Sequence, residues 1–313
     1  MHYPKPIVSV IVPTIGRTQF FTTCLPSLEK QFYKPLEVII VDNSRSCEFK
    51  NKIISLIKNT RRLPLIYVNE YDQSAASARN TGIKKAKGNV LAFIDDDCAA
   101  DINWLKNIVE YFIKKKNCVA VKGNNFNGLS DNLFSSVEYF NDELFFQTYI
   151  LKKNNELFSP WVDTKNFAIK KSVFVKNKLL FNKRFRAFDD LAFSLELRNR
   201  NIPVYYSKDS LVYHFGRSNL FEHVLRDIKI GIDTYQLESR VNYKITVPLL
   251  PPLDKKYFTN YERWRSEKTI KNRLLSQILK KKKIFFKVAF FIFFNFSIGI
   301  IRFTYYLKKL GLL

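Results

Sequence analysis

The chain is poor in the residues that punctuate or cross-link a fold. It has 9 Gly and 11 Pro among 313 residues, too few for a collagen-like or linker-rich design. Its 4 cysteines, Cys24, Cys47, Cys98 and Cys118, form no CxxC pair. That spacing gives neither a zinc ribbon nor a disulfide framework, and it reads as ordinary thiols of a reducing compartment. Acidic residues are scarce, 28 Asp+Glu against 52 Lys+Arg, for a formal net charge of +24. Such an excess implies an anionic partner: nucleic acid, a phosphorylated substrate or a membrane surface. No internal repeat, nucleic-acid motif or signal-peptide pattern stands out.

What is present is globular composition, 46% hydrophobic and 26% charged, which excludes a disordered chain. The length suits one large domain or two small ones with a sizeable core. The charge is uneven. Residues 255–313 hold 15 Lys/Arg against 2 Asp/Glu, and residues 1–254 hold 37 against 26.

Apolar, largely β-branched runs at Ile7–Val12, Leu36–Val41, Leu65–Val68 and Val90–Ile94 predict buried strands. Helical patterns at about Phe20–Gln31, Phe49–Asn59 and Ala75–Lys87 alternate with them, which predicts an α/β fold with a mainly parallel central sheet flanked by helices. Asp101 is the expected N-cap of a helix with Trp104, Leu105, Ile108, Val109, Phe112 and Ile113 on one side. Beyond residue 125 the pattern is less regular. Short strands at Val204–Tyr206 and Leu211–Tyr213 and a helix from Phe221 to about Leu237 are expected, then a break at Pro248 and Pro251-Pro252.

Polar residues gather where the strands end: Thr14 after the first, Asp42 after the second, and Asp95-Asp96-Asp97 after the fourth. Open α/β sheets bind ligands beyond the carboxyl ends of their strands. One Asp there caps a turn as readily as it binds a ligand. Three in a row repel one another unless a cation or strong donors offset them. Their hard oxygens suit Mg²⁺ or Mn²⁺, which would in turn hold a diphosphate.

In order along the chain stand Val8-Ser9-Val10-Ile11-Val12-Pro13-Thr14, Val38-Ile39-Ile40-Val41-Asp42-Asn43-Ser44 and Ala78-Arg79-Asn80-Thr81-Gly82. Ala86-x-Gly88 and Phe93-Ile94-Asp95-Asp96-Asp97 follow, then Asn166-Phe167-Ala168-Ile169-Lys170, Phe181-Asn182-Lys183-Arg184-Phe185, Phe188-Asp189-Asp190 and Val212-Tyr213-His214. In motif, order and spacing this set resembles the family 2 glycosyltransferases of GT-A fold, over roughly residues 7–217. The resemblance implies inverting transfer of a sugar from a nucleotide donor, a UDP-sugar, with Mn²⁺ or Mg²⁺ as cofactor.

It also implies roles. Pro13, Thr14, Asp42, Arg79, Asp95 and Asp96 would lie on the donor side, Asp42 at the base or ribose and Arg79 near the diphosphate. Asp97 and His214 would hold the metal, with Asp96 pointing away, since side chains alternate in extended chain. Asp190 would be the base that takes the acceptor proton. Trp161, Asn166 and Asp189 would lie on the acceptor side. Asp189 stands where the family usually has Glu, and Lys170 where it often has Arg, so both depart from the pattern.

The basic end of the chain has its own logic. Lys280–Lys283 precede an apolar stretch of 18 residues, Ile284–Ile301. As a helix that is roughly 27 Å long, against about 30 Å of bilayer hydrocarbon. Lys280, Lys287, Asn295, Arg302 and Lys309 recur at spacings of seven or eight, one narrow polar stripe on a helix. The stripe favours a helix in the interface of an anionic membrane, with a single span or a buried C-terminal helix as the alternatives. The organisation read from sequence is a catalytic domain over 1–220, divided at about residue 100 into donor and acceptor halves. A helical extension (221–256) and a basic amphipathic membrane segment (257–313) follow. The acceptor expected is a lipid-linked or cell-surface glycan, at the cytoplasmic face of the cell membrane and without nucleic acid. Two other readings compete. A nucleotidyltransferase would need a Gly-rich loop where Pro13-Thr14-Ile15-Gly16-Arg17-Thr18 has one Gly. A non-catalytic membrane or nucleic-acid scaffold on a degenerate transferase fold fits the charge, but the tail mixes its Lys with long Phe/Ile runs, unlike an exposed phosphate-tracking face.

Overall fold

The computed structural model describes residues 6–59, 63–241, 261–280 and 282–313. The chain forms two compact units, Met1–Phe126 with Leu151–His214, and Asn127–Ile150 with Phe215–Leu313.

The first unit is built on a mixed sheet. Strands β1 (Val8–Thr14), β2 (Leu36–Asp42), β3 (Leu65–Asn69) and β4 (Val90–Phe93) lie parallel in the order β3-β2-β1-β4. The apolar runs of β1, β2 and β4 are buried along their whole length, as suits strands covered on both faces, while β3 at the sheet edge is only half-buried. Val10 and Val12 enter one core with Phe20 and Trp104, while Ile11 faces the other with Phe93, Phe167 and Phe193. The helices between them are α1 (Leu25–Glu29, after a π-type turn at Phe20–Cys24), α2 (Cys47–Asn59) and α3 (Ala75–Lys85). The Ser74 hydroxyl caps α3 by accepting from the Ser77 N–H.

The sheet then continues through β5 (Cys98–Ala100), helix α4 (Trp104–Lys114) and β6 (Ala120–Asn127). Helix α5 (Leu133–Thr148) belongs to the second unit. Beyond it come β7 (Leu151–Lys153), β8 (Glu156–Phe158), β9 (Phe167–Lys170), helices α6 (Lys171–Lys176) and α7 (Asp189–Asn199), and β10 (Tyr205–His214). Here the pairs β4–β9, β9–β6, β10–β8, β8–β7 and β10–β5 are antiparallel.

Two local expectations change. Helix α4 starts at Trp104 with Asn103 as its cap residue. Asp101 holds the preceding turn, accepting from the Asn103 N–H at 2.9 Å. The two late strands are one, β10, because Ser207 and Ser210 pair their buried hydroxyls at 2.8 Å and satisfy its polar middle.

The second unit is helical among the described residues: α5, α8 (Leu220–Val241), α9 (Tyr261–Leu279) and α10 (Ile284–Lys309). Val137, Phe140 and Leu144 of α5 share a core with Leu274 and Ile278 of α9 and Phe290 of α10. That apolar face explains why residues 127–150 cluster with the C-terminal helices, across the linear boundary expected near residue 220. Gly231 lets α8 approach α10 closely, since a Cβ there would lie 2.6 Å from the Ile301 carbonyl oxygen. A largely buried polar cluster joins these helices to the segment just before α8. Arg217 and Arg226 contact Glu138 at 2.6 and 3.3 Å, and Arg226 also pairs with Asp142. The Ser297 hydroxyl donates to Asp227 at 2.6 Å, with His223 beside both. The break expected at Pro248 and Pro251-Pro252 lies outside the described residues.

Candidate active site

Register brings the first polar groups together. Thr14 at the end of β1 is level with Asp42 at the end of β2, and Asp42 with Asn69 at the end of β3. Asp42 is buried. Its carboxylate accepts from the Ser44 N–H at 2.8 Å and from the Tyr67 hydroxyl at 2.9 Å. Pro13 is buried beside Thr14.

The acid triplet follows β4 and alternates in direction. Asp95 and Asp97 keep partial exposure, while Asp96 is 1% exposed. Asp96 accepts from the Thr14 hydroxyl at 2.6 Å and from Arg17 at 2.6 Å. Arg17 also reaches Asp97 at 2.9 Å. It leaves β1 through Gly16, whose φ of +86° favours glycine. Burial pushes the Asp96 carboxyl up to about 6, against the pull of Arg17. Burial opposes the charge on Arg17, but Asp97 and Asp96 outweigh it and hold the guanidinium above its ordinary value.

A second arginine ties the triplet to the start of α7. Arg79 of α3 is buried and donates to Asp189 at 2.5 Å and to Asp95 at 3.0 Å. It therefore spends its charge on two carboxylates of the site. Asp190 follows Asp189 on the first turn of α7, where the helix dipole favours carboxylates. Burial, then the neighbouring charges of Asp189 and Asp163, raise the Asp190 carboxyl well above the ordinary range. A base raised this way holds a proton firmly once it has taken one.

His214 ends β10, opposite Cys98 in the antiparallel pair with β5. Its Nε2 lies 3.6 Å from Asp97 Oδ1. Ligand atoms of Asp97, Cys98 and His214 all fall within 4.8 Å of one another. The donor set fits a divalent ion: a carboxylate and an imidazole are available, and hard oxygen suits Mn²⁺ or Mg²⁺. The Cys98 thiol is buried and its pKa is raised by that burial and by Asp97, so it stays protonated and is the weaker ligand.

Trp161 and Asn166, expected on the acceptor side, are 2% and 0% exposed. Asn166 accepts from the Trp104 indole at 2.8 Å and donates to the Asn124 and Ser210 carbonyls. Arg198 stacks over the Trp161 ring at 5.2 Å. Three participants were not read from the sequence. Arg17 stood only in a short loop, where its one signal was the preceding glycine. Tyr67 lay within an apolar run. Lys165, 3.4 Å from Asp163, looked like any surface lysine.

Acidic groups that converge beyond the carboxyl ends of parallel strands mark where an open α/β sheet binds its ligand. The profile described as glycosyl transferase family 2 matches residues 9–175, more than half of the chain, and the chain belongs to that family. The fold is GT-A-like. It is similar to a mannosyltransferase from Pyrobaculum calidifontis solved with GDP-Man and Mn²⁺, at TM-score 0.64 and 16% identity over 98% of this chain and 88% of that one. Among curated relatives, the GalNAc(5)-diNAcBac-PP-undecaprenol beta-1,3-glucosyltransferase of Campylobacter jejuni is 33% identical over 29% of this chain and 30% of its own length. The UDP-Glc:alpha-D-GlcNAc-diphosphoundecaprenol beta-1,3-glucosyltransferase of Escherichia coli is 31% identical over 40% of this chain and 48% of its own. The matched region thus spans about a third to a half of these relatives.

Proposed function

We propose that the chain is an inverting, divalent-metal-dependent glycosyltransferase. It moves a sugar from a nucleotide-sugar, read as a UDP-sugar, to a hydroxyl of a lipid-linked or cell-surface glycan. The observation that carries this reading is the convergence of the acid triplet and the Asp189-Asp190 pair through the buried Arg79.

Asp190 is the base. It takes the acceptor hydroxyl proton as that oxygen bonds to the anomeric carbon and the bond to the diphosphate oxygen breaks. Pro13, Thr14 and Asp42 shape the nucleoside side, with Asp95 toward the ribose. Asp96, locked by Thr14 and Arg17, positions the loop rather than touching the donor. Asp97 and His214 would hold the metal, which offsets the charge on the departing nucleoside diphosphate. Arg79 holds Asp95 and Asp189 in place. Burial makes Trp161 and Asn166 supports of the acceptor side, with Asp189 between the two sets.

The acceptor class rests on the undecaprenol-linked names of the relatives. The apolar helix α10 and the basic balance of residues 255–313 support contact with an anionic membrane. We read its location as the cytoplasmic face, and nucleic acid is not among the partners.

A panel of nucleotide-sugars tested for binding and slow donor hydrolysis with Mn²⁺ examines this. Nucleoside diphosphate release from one donor is expected. Release of pyrophosphate would favour a nucleotidyltransferase, and binding to no donor would favour a scaffold.

A further inference from the structure

Helix α10 is long and apolar enough to cross a bilayer, yet its neighbours decide otherwise. Among the described residues it alone meets that test. One side of it is occupied along most of its length. Phe290 and Phe294 pack on Phe140 of α5, and Phe293 packs on Phe134 of α5 and His223 of α8. Further along, Ser297 bonds Asp227, Ile301 and Thr304 meet Gly231, and the Tyr305 hydroxyl donates to Glu238 at 2.7 Å. From Phe290 to Tyr305 is about 22 Å of helix.

Those two neighbours are not membrane helices. Helix α8 carries Glu222, Arg226, Asp227, Lys229, Asp233 and Glu238, and α5 carries Glu138, Asp142 and Glu143. If α10 crossed the bilayer, both would be drawn into hydrocarbon with these charges, which the bilayer centre resists.

The opposite side of α10 is apolar and exposed. Phe285 is 82% and Ile292 66% exposed, with Val288, Phe296 and Phe303 on the same face. Their spacing of three, four and seven makes one stripe. Lys287, Asn295, Arg302 and Lys309 run along one margin of it. From Lys268 to Leu313 there is no Asp or Glu, so the charge complement of this surface is anionic.

We propose that α10 lies flat in the interface of an anionic bilayer. Its Phe285–Ile292–Phe296–Phe303 face enters the acyl boundary, and its basic margin meets lipid phosphates. This rests on the membrane reading above and fixes its geometry: the chain is held by one leaflet and crosses none.

The full-length protein is tested by flotation with vesicles of phosphatidylcholine alone or mixed with phosphatidylglycerol. Binding to the anionic vesicles is expected. Ile292→Glu should weaken it about tenfold or more, since it charges a side chain meant for the acyl boundary. A joint Lys287→Gln, Arg302→Gln, Lys309→Gln change should reduce the preference for anionic lipid. Depth comes from nitroxides placed by Phe285→Cys, Ile292→Cys, Phe296→Cys and Phe303→Cys in a Cys47→Ser background, because Cys47 is the exposed native thiol. These sites cover about 27 Å of helix. One shared shallow depth is expected. Vesicle binding with depths that change steadily along the helix would overturn the flat placement and leave the membrane reading standing. Failure to float, or self-association through this face instead, would overturn both.

Discussion

The two units each bury a cluster of acids and arginines, and the clusters balance differently. In the helical unit, Glu138, Asp142 and Asp227 face Arg217 and Arg226, with one more hydroxyl bond from Ser297. Its single surplus acid is raised to about 6 by burial, so it tends to shed its charge by protonation. In the sheet unit, Asp95, Asp96, Asp97, Asp189 and Asp190 face Arg17 and Arg79. That is a surplus of three carboxylates, gathered after β4 and at the start of α7, beyond what two guanidiniums neutralise. A nearly balanced cluster holds helices together. An unbalanced one stores a demand for further positive charge, which a divalent ion and a proton on the base can meet.

The comparison breaks most sharply at Asp190. Asp190→Asn should cut sugar transfer by about 10²- to 10⁴-fold while donor binding, measured by calorimetry, stays near wild type. Full transfer by this variant would remove the base assignment and with it the meaning of the surplus. The raised Asp190 carboxyl gives the pH dependence its sign. The base works deprotonated, so kcat/KM should fall as pH drops, with a midpoint above the ordinary carboxylate range. A midpoint near 4, where an ordinary carboxylate titrates, would mean the site is less crowded with charge than its geometry says.

The helical cluster should respond in stability instead. Arg226→Leu leaves the buried Glu138 and Asp227 short of a partner. A loss of about 3–5 kcal/mol is expected, read by denaturant unfolding, with no change in donor binding. A fall in donor affinity with unchanged stability would show that the two clusters are not divided as structure and chemistry. A smaller effect, about 1–3 kcal/mol, is expected of Gly231→Ala, since its Cβ would press on the backbone of α10.

The same contrast explains what could be read in advance. Strands β1, β2 and β4 are largely apolar runs buried along their whole length, a plain signature, and their polar ends follow directly. The antiparallel strands are short or polar. β10 depends on Ser207 meeting Ser210, a contact that alternation alone does not announce. The acid triplet was legible because three like charges in a row need an explanation. Its counter-charges were not, because Arg17 and Asp96 stand 79 positions apart and Arg79 and Asp189 110 apart. Pairing over such distances is decided by which strand lies beside which, here β4 beside β1, and by where α7 starts, and neither is written in the local pattern. Likewise nothing in the sequence of α5 says which unit it serves, and only its packing with Phe290 and Leu274 shows it.

The smallest effect expected is a cancellation. Burial raises Asp227 from 3.8 to about 6 and lowers His223 from 6.5 to about 4. Between these values the folded Asp227 binds a proton that the unfolded chain releases, so its contribution to stability is lost as pH rises through 6. The folded His223 stays neutral where the unfolded chain would be protonated, so its contribution is lost as pH falls toward 4. Each shift alone would amount to about 3 kcal/mol, with opposite sign over almost the same window. Stability of the helical unit, followed by hydrogen exchange in α8 and α10, should therefore change less between pH 4 and 6.5 than either shift alone would make it. Asp227→Asn keeps an acceptor for the Ser297 hydroxyl and removes one of the two titrations. Its stability should climb with pH across that window, as the His223 contribution stands alone. A variant as flat as wild type would mean that His223 is not held neutral by its burial, and that the helical cluster is less closed to water than its contacts imply.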